Sequence, residues 1–190
     1  MILSNNEILK AVKAGDIRIG ALTGDEPSSV PPFNTTSIDL CLGDTVSIPK
    51  DGPAAFDMRK KGIAQFLSDH SEKYKITESQ PFNLKPQTFV LANTRERVHF
   101  PIRPDRPSYA ARVEGRSSVS RCGILVHFTA PTIHAGFEGT ITLEIISLGP
   151  LSFLLCPGMP ICQLIIEQVH GVVTPAENPQ FRGQSTPAGL

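Results

Sequence analysis

The sequence lacks an excess of charge of either sign, because 18 basic and 18 acidic side chains give it a formal net charge of zero. Broad binding to nucleic acid or to an anionic membrane surface requires an excess of Lys and Arg, so we expect neither partner. A compact anionic ligand needs only a few local positive charges, and the composition remains compatible with one.

A long apolar run and a leader-like start are missing as well. The most apolar stretch, near residues 151–166, is interrupted by Pro157, Gly158 and Pro160, and a membrane span needs roughly 18 consecutive apolar residues. Residues 1–7 show no basic region followed by an apolar one, which is the pattern of a secretory signal. We therefore expect a cytoplasmic protein without a membrane partner.

Patterns that bind structural metal ions are also missing. The 4 cysteines form no CxxC pair, and the 5 histidines show neither HxxxH nor HxH spacing. A structural zinc site requires four converging ligands, and no local pair offers a start for one. We expect reduced, buried thiols and no bound zinc.

Proline and glycine are abundant, with 17 and 15 residues among 190, and both residues break helices. Short β-forming runs with Gly and Pro between them fill the second half of the chain, which is typical of an antiparallel sandwich, barrel or jelly roll. The length suits a single domain over residues 1–190. The predicted strands are residues 36–42, closed by Gly43-Asp44, and runs that begin near Phe82, Thr88, Tyr109, Gly123, Gly139, Leu151 and Ile161.

The first 20 residues predict a helix. Ser4 is a suitable N-cap with Glu7 three residues later, which is a capping box, and Gly15 is a suitable end. From residue 53 to residue 80 the sequence is polar and irregular, with a short helix near residues 63–68. Residues 174–190 lack periodicity and predict a tail that is ordered only where something holds it.

The strongest candidate for a binding loop lies between Glu114 and Gly123. Gly115 allows close approach of the backbone to a ligand, and the residues that follow it offer two hydroxyl groups and two guanidinium groups, from Arg116, Ser117, Ser118 and Arg121. Such a set suits recognition of phosphate. In a helical turn, Ser117 and Arg121 would share one face. From the residues alone, a polar turn with solvated arginines is the alternative interpretation.

The second candidate is Glu144, in the predicted strand that begins at Gly139. The two-residue period places Ile141, Leu143 and Ile145 on one face and Thr140, Thr142 and Glu144 on the other. A lone carboxylate there suits a general base whose pKa is raised by burial. A solvent-facing side chain is the alternative. His134 lies in the turn before this strand and is either a titrating group or merely exposed.

Several separated motifs resemble those of one known family. They are Thr36-Ser-Ile-Asp-Leu-x-Leu-Gly43, Arg116-Ser-Ser-x-x-Arg-x-Gly123, Val126-His-Phe-Thr-Ala130, Gly136-Phe-Glu-Gly-x-Ile-x-Leu-Glu144, Pro157-Gly-Met-Pro-Ile-Cys-Gln163 and Phe181-Arg-Gly-Gln-Ser-Thr-Pro187. Because they occur in the expected order over nearly the whole chain, the sequence resembles the dCTP deaminase branch of the dUTPase-like superfamily.

This resemblance implies a distorted β-barrel or jelly roll that assembles as a homotrimer with active sites between subunits. The implied reaction is hydrolytic removal of the cytosine amino group of dCTP, which gives dUTP and ammonia in the synthesis of dUMP and dTTP. It requires no zinc, in agreement with the missing PCxxC element of zinc deaminases. Mg²⁺ would accompany the triphosphate and bind mainly to its oxygens.

The resemblance also implies roles for individual residues. Glu144 would be the general base, and Ser117, Arg121 and the carbonyl of Ala130 would hold the attacking water. Arg116 and Ser118 would bind the triphosphate. The segment from Thr142 through Leu143 to Glu144 would line the base. Further nucleotide contacts would come from Gln163, Gln184 and His134.

Two departures from the family pattern leave other functions open. His134 stands where the family has an aspartate that contacts the deoxyribose, and the tail lacks the usual Tyr and Lys, so that Gln180, Phe181 or Arg182 would have to replace them. The alternatives are a dUTPase-like or bifunctional enzyme that releases pyrophosphate, and a non-catalytic nucleotide-binding homologue.

Overall fold

The computed structural model describes residues 1–51, 55–175 and 183–188, and these ranges fold mainly into β-strands, as the sequence predicts. The helices are α1 (Asn5–Lys13), α2 (Ile63–Asp69) and α3 (Ser117–Ser120). The strands are β1 (Arg18–Ile19), β2 (Ile38–Pro49), β3 (Ser71–Lys75), β4 (Phe82–Leu84), β5 (Phe89–His99), β6 (Tyr109–Gly115), β7 (Ile124–Val126), β8 (Thr132–Ile133), β9 (Glu138–Ser147), β10 (Phe153–Leu155) and β11 (Pro160–Gln168).

One large curled sheet carries most of the strands. Its order is β7-β9-β5-β2-β11-β6-β8, with β1 added to β5 and β3 added to β2, while β10 and β4 form a separate pair. All of these pairs are antiparallel. Alternate side chains of β9 are buried in the core, as they are along much of β2 and β11. The predicted mainly β fold with an N-terminal helix is therefore confirmed.

The N-terminal helix begins as predicted and ends earlier. Ser4 Oγ accepts a hydrogen bond of 3.3 Å from the Glu7 backbone N–H, which confirms the N-cap. The helix stops at Lys13, and Gly15 follows with a φ of 69°, a left-handed conformation that glycine adopts without strain. The prediction of a helix over residues 1–20 is wrong at its end, because Arg18–Ile19 form β1, and Ile19 is buried there.

Two further boundaries differ from the sequence prediction. Strand β2 does not close at Gly43-Asp44 but continues to Pro49 through a change of register against β5 between Leu42 and Val46. A Cβ atom on Gly43 would lie 2.8 Å from the Asn93 carbonyl oxygen, so glycine here permits close contact of the two strands. The segment 53–80 holds the expected short helix, α2, and also the unexpected strand β3.

A buried ion pair fixes the end of α1 to the loop after β5. Arg103 Nη1 lies 2.5 Å from Asp16 Oδ1, and Arg103 Nη2 donates a hydrogen bond of 2.7 Å to the Gly15 carbonyl. Only 10% of the Arg103 side chain and 14% of the Asp16 side chain are exposed. Arg106 Nη1 approaches the same carboxylate oxygen at 3.2 Å from a half-exposed position. The core charge pair is therefore Arg103 with Asp16.

The described part of the tail lies against β9. Gly183 N–H donates to the Glu138 carbonyl at 2.7 Å, and Thr140 N–H donates to the Gln184 carbonyl at 3.1 Å. Gln184 and Ala188 are buried. The sequence predicts a tail that is ordered only where something holds it, and β9 holds residues 183–188 in this way.

Among the residues that the structure describes, no helix is both long enough and apolar enough to cross a membrane.

Candidate active site

The loop between β6 and β7 forms a helical turn, the arrangement that places Ser117 and Arg121 on one face. The Arg121 backbone N–H donates to the Ser117 carbonyl at 3.1 Å, and the Ser120 N–H donates to the Arg116 carbonyl at 2.9 Å. Ser117 and Arg121 are thus one turn apart, and both are exposed, as is Ser118. The hydroxyl and guanidinium groups are accessible to a ligand.

Glycine residues hold this loop in place through close backbone contacts. A Cβ atom on Gly123, whose φ is 78°, would lie 2.7 Å from the Gly149 backbone nitrogen, and one on Gly149 would lie 2.7 Å from the Cys122 carbonyl oxygen. Any side chain at either position would separate the two segments. The end of α3 is therefore anchored to the turn that follows β9.

Arg116 and Gln163, two predicted nucleotide contacts, are joined by Asp39. Arg116 Nη2 lies 3.1 Å from Asp39 Oδ2, and Gln163 Nε2 donates to Asp39 Oδ1 at 3.2 Å. Arg116 Nη1 also approaches the Pro160 carbonyl at 3.4 Å. We call Asp39, Arg116 and Gln163 the arginine cluster. The sequence alone indicated no role for Asp39, although Asp39 is the one acidic residue in the apolar run 38–42.

Glu144 lies on β9 between β5 and β7, on the face that the two-residue period predicts. Ile141, Leu143 and Ile145 are buried in the core, while 30% of the Glu144 side chain is exposed. His127, which follows β7, places its Nδ1 3.0 Å from Glu144 Oε2 and donates its backbone N–H to the Glu144 carbonyl at 2.8 Å. We call Glu144 and His127, with the neighbouring Thr142, the carboxylate cluster.

The pKa of Glu144 moves in the direction opposite to the predicted one. Burial is the largest single influence and raises the pKa, but the close contact with His127, its positive charge and a backbone hydrogen bond together outweigh it. The pKa therefore lies below its ordinary value, and the expectation of a raised pKa is wrong. The alternating pattern of β9 indicated the burial of Glu144. Nothing in the sequence indicated its contact with His127, a residue of the Val126–Ala130 motif.

The carboxylate cluster contains buried polar atoms that lack well-aligned hydrogen bonds. Among the described residues these include both ring nitrogens of His127, Glu144 Oε2 and Thr142 Oγ1. The His127–Glu144 contact has ion-pair distance without hydrogen-bond alignment. Buried polar groups normally have partners. The carboxylate cluster therefore holds hydrogen-bonding capacity that is not used in this structure.

The arginine and carboxylate clusters lie at the two ends of the connection from β6 through α3 to β7. Gly115 immediately precedes Arg116, and Val126 immediately precedes His127. A Cβ atom on Gly115 would lie 4.0 Å from the Val126 carbonyl oxygen and 3.1 Å from Ser120 Oγ. Strand β6, helix α3 and strand β7 thus bring the two clusters to adjacent positions, with the exposed hydroxyls of α3 between them along the chain.

The other sequence-predicted site residues lie outside the two clusters. His134 and Ala130 are exposed in the segments around β8. Leu143 is completely buried, backbone included. The Gln184 amide donates to the Thr140 carbonyl at 2.8 Å and is not joined to either cluster by that bond. Gln180, Phe181 and Arg182 lie outside the described residues.

The thiol and metal chemistry of the chain is limited. All 4 cysteines are free, but the expectation of buried thiols holds only for Cys162, since Cys41 and Cys156 are half-buried and Cys122 is exposed. Burial raises the pKa of the Cys162 thiol far above its ordinary value, so it is not a nucleophile. Within residues 1–51, 55–175 and 183–188, no group of three or more His, Cys, Asp or Glu side chains could hold a metal ion.

Comparison with known proteins agrees with these features. A family model described as dCTP deaminase-like matches residues 2–169. The chain is 35% identical to a dCTP deaminase, dUMP-forming, of Methanosphaera stadtmanae, over 98% of this chain and 91% of that protein. It is 35% identical to a dCTP deaminase of Thermomicrobium roseum, over 89% of this chain and 80% of that protein.

Structural similarity supports the same fold. The structure of 2'-deoxycytidine 5'-triphosphate deaminase from Agrobacterium tumefaciens superposes with a TM-score of 0.64 at 18% identity and covers 90% of this chain. The match spans 49% of that longer chain. This likeness shows that the chain has the fold of that deaminase, in agreement with the motifs. With the family model covering most of its length, the chain belongs to the dCTP deaminase-like family.

Proposed function

We propose that this protein is an enzyme that hydrolyses dCTP to dUTP and ammonia and so supplies the synthesis of dUMP and dTTP. The observation that carries the proposal is the carboxylate cluster, in which Glu144 Oε2 lies 3.0 Å from His127 Nδ1 and the Glu144 pKa stays below its ordinary value despite burial. An ionised carboxylate can accept a proton from water at neutral pH. The relatives named dCTP deaminase support the choice of substrate.

In this mechanism Glu144 removes a proton from a water molecule as the water oxygen attacks C4 of the cytosine ring. Ser117, Arg121 and the carbonyl of Ala130 hold the water and stabilise the charge that develops on the ring. Glu144 then returns the proton to the departing amino group. The C4–N bond breaks, ammonia leaves, and the proton of the new C4 hydroxyl group moves to ring N3, which gives the C4 carbonyl of uracil.

Substrate binding uses the groups around this centre. Arg116 and Ser118 bind the triphosphate of the Mg–dCTP complex, as guanidinium and hydroxyl groups commonly do. The segment from Thr142 through Leu143 to Glu144 lines the base. Contacts from His134, Gln163 and Gln184 complete the nucleotide site.

We propose that the reaction requires no zinc. The chain has no PCxxC element, so its one HxE match, His70-Ser71-Glu72, lacks the cysteine pair that zinc deaminases require. Water activation then depends on Glu144 rather than on a metal-bound hydroxide. The free thiols suit the reducing cytoplasm, which we propose as the place of action.

One assay tests the function. The protein is incubated separately with Mg–dCTP and Mg–dUTP in the presence of a zinc-selective chelator, and ammonia and pyrophosphate are measured. Ammonia from dCTP alone supports simple deamination. Ammonia with pyrophosphate supports a bifunctional enzyme, which the dUMP-forming relatives favour as the second candidate. Nucleotide binding without either product would contradict catalysis, and turnover that depends on zinc would contradict the mechanism.

We also propose a homotrimer whose active sites lie between subunits. Exposed apolar side chains gather where β7 and the end of β9 meet, beside the exposed hydroxyls of α3; they are Leu125, Phe128 and Leu148, with 37%, 44% and 51% exposure. Apolar side chains exposed together are typical of interaction surfaces. Light scattering is expected to give a mass about three times that of one 20.6 kDa chain. A monomer mass at the concentration of the activity assay would contradict this assembly.

Replacing His127 with Asn is expected to shift the acidic limb of the pH profile to higher pH. Glu144 must be ionised to act as a base, so activity falls as the pH drops through its pKa. Without His127 the lowering influence is lost and burial remains, so the pKa rises. Asn is suitable because it tolerates the φ of 54° at this position.

The measurement is kcat/KM against pH, which reports groups of the free enzyme. The control is His170→Asn, because His170 is exposed and lies outside both clusters. Its acidic limb should match that of the unmodified protein. An acidic limb that stays in place, or moves to lower pH, in His127→Asn would contradict the assignment.

A further inference from the structure

Asp39 is largely buried, and its carboxylate is shared among three side chains. Only 14% of the Asp39 side chain is exposed. Its Oδ1 accepts hydrogen bonds from Asn34 at 3.0 Å and from Gln163 at 3.2 Å, while Oδ2 lies 3.1 Å from the Arg116 guanidinium. A buried carboxylate is costly unless it is paired and hydrogen-bonded. Here both oxygens have partners.

The sheet register explains how these residues meet. Strand β11 lies between β2 and β6, and Gln163 is directly opposite Asp39 on one side and Glu114 on the other. Arg116 follows Glu114 by two residues, at the point where β6 ends and α3 begins. Its side chain therefore returns across β11 towards β2. The central sheet, rather than the loop itself, sets the direction of the guanidinium group.

We propose that Asp39 is a positioning residue, which holds Arg116 and Gln163 in the orientation that receives the nucleotide phosphates. This inference rests on the proposed function, in which Arg116 binds the triphosphate. Free arginine side chains lose considerable rotamer entropy when they bind a ligand. Arg116 is already restrained by Asp39 and by the Pro160 carbonyl, so less freedom is lost on binding.

The negative charge of Asp39 also has an electrostatic effect on phosphate binding, and this effect acts against the gain from positioning. A carboxylate beside Arg116 lowers the positive potential that a polyanion experiences. If this effect dominated, removal of the Asp39 charge would strengthen binding. Preorganisation predicts weaker binding instead.

The main variant is Asp39→Asn, with Asp44→Asn as the matched control on the same strand. Asp44 pairs with Lys75 on the exposed side of β2 and lies outside both clusters. Asp39→Asn is expected to raise the KM for dCTP about tenfold with kcat changed less than about threefold. Asp44→Asn should leave both constants unchanged. An unchanged or lower KM in Asp39→Asn overturns the proposal.

A double-mutant cycle separates positioning from general structural support. The dissociation constant of inorganic tripolyphosphate is measured by calorimetry for Asp39→Asn, Arg116→Ala and the double variant. Asp39→Asn should weaken binding about tenfold when Arg116 is present and less than about twofold when it is absent. Equal losses in both backgrounds would show that Asp39 acts on the fold and would overturn the proposal.

A milder variant covers the case in which Asp39→Asn does not fold. Asn34→Ala removes one donor to Asp39 from an exposed position and leaves the carboxylate in place. It should weaken tripolyphosphate binding about twofold to threefold, and unchanged binding would count against the proposal. Because tripolyphosphate binding needs no turnover, failure of the wild-type protein to deaminate dCTP would contradict the proposed function alone.

Discussion

Replacing Glu144 with Gln is expected to lower the kcat for dCTP deamination by about 10²–10⁴-fold. Gln keeps the size and the hydrogen-bonding capacity of the side chain, but its amide cannot accept the proton of the attacking water. The carboxylate is ionised at neutral pH, because its pKa lies below the ordinary value despite its burial. The affinity for dCTP should stay within about threefold, since binding depends mainly on the phosphates.

The measurements are single-turnover ammonia release and calorimetric binding of dCTP. Glu138→Gln is the matched control, because Glu138 begins the same strand and pairs with Arg97 at 3.4 Å, away from His127. The control should retain kcat. Substantial turnover by Glu144→Gln would remove Glu144 from the role of general base.

Replacing Arg103 with Ala is expected to lower the free energy of unfolding by about 3–5 kcal/mol. The change leaves the Asp16 carboxylate buried without its principal partner and removes the hydrogen bond to the Gly15 carbonyl. The end of α1 and the loop before β6 would lose their shared anchor. Urea denaturation followed by circular dichroism measures the loss directly.

Arg106→Ala is the natural comparison, because Arg106 contacts the same Asp16 oxygen from a half-exposed position. Exposed ion pairs contribute little, so this variant should lose less than about 1 kcal/mol. If the two variants were equally destabilised, burial would not be the reason for the strength of the Arg103 pair. Addition of salt should affect the Arg106 contact more than the Arg103 contact.

Local patterns were the most predictable part of the molecule. The capping box at Ser4 fixes where α1 begins, and the two-residue period of β9 fixes which face carries Glu144. Each of these features depends on neighbours within a few residues, and sequence spacing alone reports such neighbours.

Features that depend on distant contacts were missed. Strand β3 buries only Ser71 and shows no alternation, because it lies at an edge, paired only with β2. His127 and Asp39 acquire their roles from β9 and from Arg116, which are remote along the chain. The predicted direction of the Glu144 pKa shift was wrong for this reason. Burial can be foreseen from a pattern, but the partner that offsets it cannot.

The position of residues 183–188 has a consequence for solution behaviour. Near its start, β9 would otherwise present unpaired N–H and C=O groups on the side away from β5, and such edges promote pairing between chains. The tail covers these groups through its bonds to Glu138 and Thr140, and Gly139 leaves room for it, since a Cβ atom there would lie 2.8 Å from the Gln184 carbonyl oxygen. The segment thus protects the protein from edge-to-edge aggregation. Truncation before residue 183 would expose a strand edge that can pair with another chain.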